Sequence, residues 1–171
     1  MQIRVANRQD EKNIQSIFGD LCSKKGEELD LSSKHKDLRN IEANYFGNEG
    51  IFLVAEDDGK LIGFAGAKKE SDTAISVDRF YIDDAHKRNG IDKQFMQVIV
   101  PFAKRMYFER LNWNVMEEPP KIGVSANQAQ TSQTYSAPSC FNKALLVQMR
   151  FKKDENNRYW LAIESANSSA N

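Results

Sequence analysis

The stretch Tyr81–Asp92, YIDDAHKRNGID, decides how this chain is organised. A strand-like apolar run precedes it, and a long run of apolar residues at helical spacing follows it. A turn that enters a helix presents backbone N–H groups and the positive end of the helix dipole, which together attract anions. Lys87, Arg88 and Lys93 add positive charge to this turn. The stretch therefore predicts a strand, an anion-binding turn and a helix, although basic turns of this kind are often only solvated surface.

The helix that follows is predicted from Ile91 to Met106, because apolar residues recur there on one helical face. Pro101 lies inside this run and predicts a kink or an early end, since proline lacks the N–H that a helix interior needs. The adjoining stretch AKRMYFERLNW is assigned to the polar side of the same helix, rather than to an interaction surface.

The preceding strand, Thr73–Asp83, has a fault in its alternation. Ile75 and Val77 share one face, and Phe80 and Ile82 share one face, but an odd step separates the two pairs. Two explanations stay open. Either one extra residue bulges out near positions 78 and 79, or both faces of the strand are buried and strict alternation is not required.

The rest of the chain supplies further strands and helices around this unit. Ile51–Glu56 and Leu61–Lys68 flank an Asp-Gly turn and predict a β-hairpin. The full predicted order is β-α-α-β-β-β-α-β-α-β, an α/β domain with a mixed sheet over residues 1–164. It includes a second helix from Ser32 or Ser33 to about Phe46 and a strand at Lys121–Ser125; Ser165–Asn171 is predicted to be a disordered tail.

Composition limits the function. The 171 residues carry 24 basic and 24 acidic side chains, so no net field attracts nucleic acid or an anionic membrane. Cys22 and Cys140 lie far apart, which favours free thiols in a reducing compartment, and neither cysteines nor histidines show metal-ligand spacing. No signal peptide or membrane span is recognisable, so a cytoplasmic protein without a metal site is predicted.

The segment from Phe80 to Asp92 resembles motif A of the GNAT superfamily of N-acyltransferases, V-D-P-x-x-[R/Q]-x-x-G-x-[G/A]. Ile82 and Asp83 match the V-D pair, Lys87 takes the basic or amide position, and Gly90 takes the first glycine. Other segments are similar to family elements in the right order: IRVANRQD to the first strand, FLVAEDDGKLIGFAGA to the hairpin, KIGVSAN to the fifth strand, and FNKALLVQMRFKK to the last helix.

The resemblance implies a mixed, mostly antiparallel sheet flanked by helices, with acetyl-CoA bound where the fourth and fifth strands splay apart. The backbone of Phe80–Ile82 would pair with the pantetheine arm, and the amides of Arg88–Asp92 would hold the pyrophosphate. The residues so assigned to the cofactor are Phe80, Tyr81, Ile82, Lys87, Arg88, Asn89, Gly90, Ile91, Asp92, Lys93 and Asn127, the last at the end of the predicted fifth strand.

The resemblance also implies the chemistry: direct attack of a primary amine, from a small molecule or a protein, on the thioester of acetyl-CoA. Asp78 is the candidate base on the fourth strand, and Tyr135 is a candidate acid, with Cys140 as an alternative. Leu146 stands where the family often has a tyrosine. A homodimer through the C-terminal strand, RYWLAIE, is also predicted.

One departure leaves an alternative function open. Asp92 stands where the family has Gly or Ala, so the acetyl-CoA motif is degenerate. Its carboxylate either points to water and only caps the helix, or repels a pyrophosphate and occupies the amides that a phosphate needs. In the second case the chain is a catalytically inactive GNAT-like binding or regulatory domain.

Overall fold

The computed structural model describes residues 1–113, 143–156 and 158–164. The helices are α1 (Glu11–Lys24), α2 (Ile41–Asn44), α3 (Ile91–Arg105) and α4 (Lys143–Gln148). The strands are β1 (Gln2–Val5), β2 (Ile51–Asp57), β3 (Lys60–Lys69), β4 (Ala74–Ile82), β5 (Arg110–Trp113), β6 (Lys152–Lys153) and β7 (Tyr159–Ala162).

Within these residues the strands form one sheet of seven, in the order β1-β2-β3-β4-β5-β7-β6. Only β4 and β5 pair in parallel, and α3 connects them as a crossover helix, because parallel neighbours need a long connection. All other described neighbours pair antiparallel. The predicted mixed, mostly antiparallel sheet flanked by helices is therefore confirmed.

The predicted hairpin is present as β2 and β3. Asp57 pairs with Lys60, and the two residues between them, Asp58 and Gly59, have φ values of 48° and 75°. Positive φ at both central positions matches the right-handed twist of the flanking strands, which is why an Asp-Gly pair suits this turn.

Two apolar clusters lie against the two faces of the sheet. The cluster on the α3 face is built around Ile75, Val77, Phe80, Phe95 and Trp113, together with Leu145 and Leu146 of α4. The cluster on the α1 face contains Ile14, Phe18, Leu38, Tyr45, Phe52 and Phe64. Because β2, β3 and β4 contribute to both clusters, the sheet is the shared wall of the two cores.

The predicted second helix is wrong as a continuous element. The segment instead contains a 3-10 turn at Lys36–Arg39, the one-turn α2 and a 3-10 turn at Phe46–Asn48. Asn40 interrupts it with an extended φ of −148°, and its Oδ1 accepts a hydrogen bond from the N–H of Ala43. Polar side chains here cap short turns rather than lie on one long helix.

A strand that the sequence did not predict follows α3. It is β5, which pairs in parallel with β4 and lies in the stretch AKRMYFERLNW, so the prediction that this stretch forms the polar side of the long helix is wrong there. α3 passes through Pro101 without ending there, continues to Arg105, and is followed by Tyr107 with a left-handed φ of 62°. The strand predicted at Lys121–Ser125 lies outside the described residues.

Several other predictions also fall outside the described residues: Asn127, Tyr135, Cys140 and the tail Ser165–Asn171. The extent of the domain, residues 1–164, stays a prediction. No helix in the part of the chain that the structure describes combines the length and the apolar character needed to cross a membrane.

Candidate functional site

The turn between β4 and α3 begins at Asp83, whose N–H donates to the carbonyl of Ile62 over 2.8 Å. A 3-10 turn at Asp84–His86 follows, and Gly90 then enters α3 with a left-handed φ of 70°. A side chain at this φ would be strained, so glycine suits the position that ends the turn. The carbonyl of Gly90 accepts from Gln94 N–H over 3.1 Å and thereby starts the helix.

The N-terminus of α3 offers donors for an anion. Within the described chain, the backbone N–H groups of Ile91 and Asp92 have no hydrogen-bond acceptor, as is usual for the first turn of a helix. Arg88 and Lys93 are exposed beside them and form no ion pair with another described residue. This turn therefore contains amides without an acceptor, the positive end of the helix dipole and two exposed cations.

Two other basic side chains of the turn lie next to carboxylates. The ammonium of Lys87 forms an ion pair with Asp84, and this interaction lowers the pKa of the Asp84 carboxyl. His86 Nδ1 lies 3.4 Å from a carboxylate oxygen of Asp83. Lys87 would therefore have to leave Asp84, or share it, in order to contact a phosphate.

Asp92 is buried, with 6% of its surface exposed, so the alternative in which its carboxylate points to water is wrong. Its Oδ1 accepts a hydrogen bond of 2.8 Å from the N–H of Lys93. The carboxylate thus occupies one helix-terminal amide, as one of the two sequence-based alternatives anticipated. The turn contains its own anion next to the donors that a phosphate would use.

β4 contains a bulge, which is one of the two explanations that its sequence left open. Gly66 of β3 is opposite Arg79, and the next residue, Ala67, is opposite Val77, so Asp78 is the extra residue. This insertion keeps Val77 and Phe80 in the same apolar cluster despite the odd step between them. Both faces of β4 are also largely buried. Bulges redirect backbone groups, so the bulge is a place where an N–H can point away from the sheet.

Asp78 forms an ion pair with Lys68 of β3, with 3.0 Å between Oδ2 and Nζ. Both side chains are half-buried, and the Lys68 ammonium also lies 5.7 Å from the centre of the Tyr45 ring. The described part of β5 pairs with β4 from Ala74 to Val77, and Asp78 follows directly on β4. The role of Asp78 as a base stays a prediction.

A buried polar group beside the bulge was missed in the sequence. Arg79 binds Asp37 through two hydrogen bonds of 2.8 and 2.7 Å, and the Tyr45 hydroxyl donates to the same carboxylate over 2.8 Å. Burial by itself raises the pKa of Asp37, but the Arg79 guanidinium and the Tyr45 hydroxyl hold it below its usual range. The phase fault in β4 pointed to Arg79; nothing local marked Asp37, which is 42 positions away.

The remaining cofactor candidates are divided between the two faces. Phe80 and Ile82 pack into the α3-side cluster, whereas the ring of Tyr81 lies on the other face, 5.4 Å from that of Phe64. Beside the end of β4 is a pocket of about 430 Å³, and its lining residues are Asn13, Ser16, Ile17, Gly59, Lys60, Leu61, Tyr81 and Asp83. No group of three His, Cys, Asp or Glu side chains among the described residues is arranged to hold a metal ion.

Solved structures share this architecture. An acetyltransferase of the GNAT family from Staphylococcus aureus Mu50 aligns with a TM-score of 0.70 at 15% identity, over 95% of this chain and 99% of that one. A phosphinothricin acetyltransferase from Sinorhizobium meliloti, solved in complex with acetyl-CoA, aligns with a TM-score of 0.54 at 17% identity, over 66% and 64% of the two chains. At these identities the likeness shows the fold.

Sequence comparison agrees with the fold. The chain is 30% identical over 76 residues to a probable N-acetyltransferase camello from Xenopus tropicalis. These aligned residues make up 43% of this chain and 35% of that protein. The aligned region therefore spans about a third of the length of this curated relative. A family model described as the acetyltransferase (GNAT) family matches residues 16–121, well over half of the chain. This chain belongs to the GNAT acetyltransferase family.

Proposed function

We propose that this chain transfers an acetyl or other acyl group from acyl-CoA to a primary amine of a small molecule or a protein. The observation that carries the proposal is the turn after β4, where the amides of Ile91 and Asp92 lack an acceptor among the described residues and the cations Arg88 and Lys93 are exposed close by in sequence. This donor set suits a pyrophosphate. Membership of the GNAT family supports acyl transfer as the general reaction.

The turn and the bulge have different roles in this proposal. The amides of the turn hold the pyrophosphate, and the backbone of Phe80–Ile82 stays a predicted contact for the pantetheine arm. The bulge at Asp78 directs a backbone N–H toward the thioester carbonyl, where it stabilises the charge that develops on oxygen. Binding and carbonyl polarisation thus come from consecutive parts of one strand-turn-helix unit.

Proton transfer is assigned to Asp78. The attacking amine must lose a proton before it can act as a nucleophile, and a carboxylate at the bulge can accept that proton directly or through water. Asp78 already holds an ammonium, that of Lys68, at 3.0 Å, so its environment accommodates a protonated amine. Tyr135 stays the predicted donor of a proton to the leaving thiolate.

A second candidate function is supported by one observation. The buried carboxylate of Asp92 caps the Lys93 amide, and a pyrophosphate in the same turn would meet a like charge. A GNAT domain that no longer binds acyl-CoA, and that serves as a binding or regulatory module, would have this arrangement.

Calorimetric titration of acetyl-CoA into the purified chain separates the two candidates. We expect a micromolar dissociation constant, about −8 kcal/mol of binding free energy. Arg88→Ala, in the turn before α3, should weaken binding about tenfold because it removes a full charge from the turn. Arg105→Ala is the matched control, since it removes the same type of side chain at the C-terminal end of α3.

Release of free CoA thiol in the presence of a panel of small amines and lysine peptides then tests catalysis. Thiol release that depends on both acetyl-CoA and an amine supports the transferase. An absence of acetyl-CoA binding in the native chain would contradict it and favour the second candidate.

A further inference from the structure

Five side chains form a polar group around the bulge, on the face of the sheet that α1 covers. We call them the bulge cluster: Asp37, Tyr45, Lys68, Asp78 and Arg79. The inner pair, Asp37 and Arg79, is almost fully buried, while the outer pair, Lys68 and Asp78, is only half-buried. The inner pair is therefore shielded from solvent, and the outer pair is accessible to it. The formal charge of the bulge cluster is zero.

Lys68 differs from its neighbour on β3 in its partners and in its face. Among the described residues its ammonium has one carboxylate partner, Asp78, and it points to the face that contains the bulge cluster. Lys69 projects from the opposite face, because side chains alternate along a strand. Lys69 is held by two carboxylates, Glu49 at 2.7 Å and Asp72 at 3.1 Å. Two adjacent lysines thus provide an amine at the bulge and an amine away from it.

We propose that Lys68 is itself an acyl acceptor, so that this chain acylates its own Lys68 when acyl-CoA is bound. The inference rests on the proposed function, in which the thioester carbonyl lies at the bulge. An amine held next to a bound thioester reacts with a high effective concentration compared with any amine in solution. Asp78, 3.0 Å from Nζ, is the group that can take the proton.

The step balances as follows. The Lys68 ammonium gives one proton to Asp78, and the neutral Nζ attacks the thioester carbonyl carbon. The C–N bond forms, the C–S bond breaks, and the second proton from nitrogen ends on the departing thiolate. The products are an amide at Lys68, free CoA thiol and one proton that Asp78 passes to water.

Acylation would change the acceptor face. The amide at position 68 has no charge, so the bulge cluster passes from a formal charge of zero to minus one and Asp78 loses its partner. An incoming ammonium could then pair with the Asp78 carboxylate in place of the Lys68 ammonium. Self-acylation would in this way alter how the chain receives an external amine.

The experiment follows acetylation of Lys68 and Lys69 in the same sample. The purified chain is incubated with acetyl-CoA and no acceptor. At each time point it is digested with a protease that does not cut at lysine, and the peptide that contains both lysines is analysed by fragmentation mass spectrometry. We expect acetyl-Lys68 to accumulate about tenfold faster than acetyl-Lys69, or more. Asp78→Asn should slow the reaction at Lys68 and leave Lys69 unchanged.

Equal rates at the two lysines, or a Lys68 rate that Arg88→Ala leaves unchanged, would overturn the inference, because chemical acetylation needs no bound cofactor. Circular dichroism melts of Asp78→Asn establish that this variant is folded. Thiol release with external amines is measured in parallel. Turnover of an amine without acetyl-Lys68 overturns this inference alone, whereas an absence of both acetyl-CoA binding and thiol release overturns the proposed function as well.

Discussion

Asp92 is the carboxylate that opposes an anion at the start of α3. It is buried, and its carboxylate already accepts the Lys93 N–H. Two unit charges about 4 Å apart repel by about 4 kcal/mol at an effective dielectric constant of about 20. The exposed cations Arg88 and Lys93 offset part of that repulsion. The affinity of the turn for phosphate therefore depends on how far these cations compensate for one carboxylate.

Replacing Asp92 should strengthen acetyl-CoA binding. Asp92→Asn keeps the size of the side chain and an oxygen for the Lys93 amide, but removes the charge. We expect its dissociation constant for acetyl-CoA to fall at least about tenfold, which corresponds to about 1.4 kcal/mol. Titration calorimetry measures the change, and Asp58→Asn in the exposed β2–β3 turn is the control for net charge. Unchanged affinity would mean that Asp92 does not face the phosphates.

His35 should make the stability of the fold depend on pH. The side chain is fully buried, and its Nδ1 accepts a hydrogen bond of 3.1 Å from the Asp30 N–H, so the neutral form is the one that fits. Burial, followed by the Arg79 charge, lowers the pKa of His35. The unfolded chain therefore takes up the proton at a higher pH than the folded chain, and acid favours unfolding.

The free energy of unfolding should accordingly fall as the pH drops below about 6.5, the ordinary histidine value, toward the lower folded pKa. Urea unfolding at about pH 7 and about pH 5.5 measures this change. His35→Gln, which keeps an acceptor but does not titrate, should have a smaller difference between the two conditions. An equal difference in both proteins would assign the pH dependence to other groups.

At the scale of elements, the sequence predicted those strands and turns whose signal lies in a few consecutive residues. The Asp-Gly turn predicted the β2–β3 hairpin, and the phase fault gave a bulge near positions 78 and 79 as one of two explanations, because both signals depend on a few consecutive residues. β5 was missed because Arg110 and Asn112, on one face of a strand of four residues, resemble the polar side of the helix before them. Its identity as a strand comes from parallel pairing with β4, which no local pattern contains.

The candidate site likewise contains residues that a local pattern identifies and residues that it does not. The turn residues could be recognised because they are contiguous in sequence. The buried pair of Asp37 and Arg79 could not, since it joins a 3-10 turn to a strand 42 positions away. Sequence alone also left the orientation of Asp92 open, because a polar residue in the first turn of a helix can point outward or cap an amide.

The pair of Asp37 and Arg79 should contribute strongly to stability by fixing the Lys36–Arg39 turn against β4. Asp37→Asn leaves the Arg79 guanidinium buried without its counter-charge, and we expect a loss of about 3–5 kcal/mol in the free energy of unfolding. Glu56→Gln is the control. It disrupts a two-bond pair with Arg4, in which the two side chains are 33% and 31% exposed and can turn to water.

The control should therefore lose clearly less stability than Asp37→Asn, on the scale of about 1 kcal/mol that partly exposed pairs contribute. Urea unfolding of the three proteins, followed by circular dichroism, gives these differences. Similar losses in both variants would mean that the Asp37–Arg79 pair stabilises no more than an accessible one.

At the scale of the whole molecule, one sheet separates two apolar clusters. Gly66 shows how closely the α1-side cluster is packed, because a Cβ on this residue would lie 2.7 Å from a ring carbon of Phe52 and 2.8 Å from one of Tyr45. β2, β3 and β4 contribute side chains to both clusters, so disorder on one side of the sheet removes support from the other.

Unfolding should therefore be a single cooperative transition. Ile14→Ala, in the α1-side cluster, should lower the free energy of unfolding by about 2–5 kcal/mol. Tryptophan fluorescence, which reports Trp113 and Trp160 in β5 and β7, should still change together with far-ultraviolet circular dichroism. A dichroism change that precedes the fluorescence change in Ile14→Ala would show that the two sides unfold separately. Phe95→Ala in the other cluster is the matched variant.

The link between Asp37 and Arg79 also has a consequence for synthesis of the chain. The ribosome makes Asp37 before 42 further residues bring its cation, and β2 and β3 are completed in that interval. In a nascent chain that ends before Arg79, the Asp37 carboxylate, which contacts Tyr45 of the α1-side cluster, lacks the guanidinium that neutralises it. The first half of the protein therefore cannot reach its final packing until the strand with the bulge has emerged.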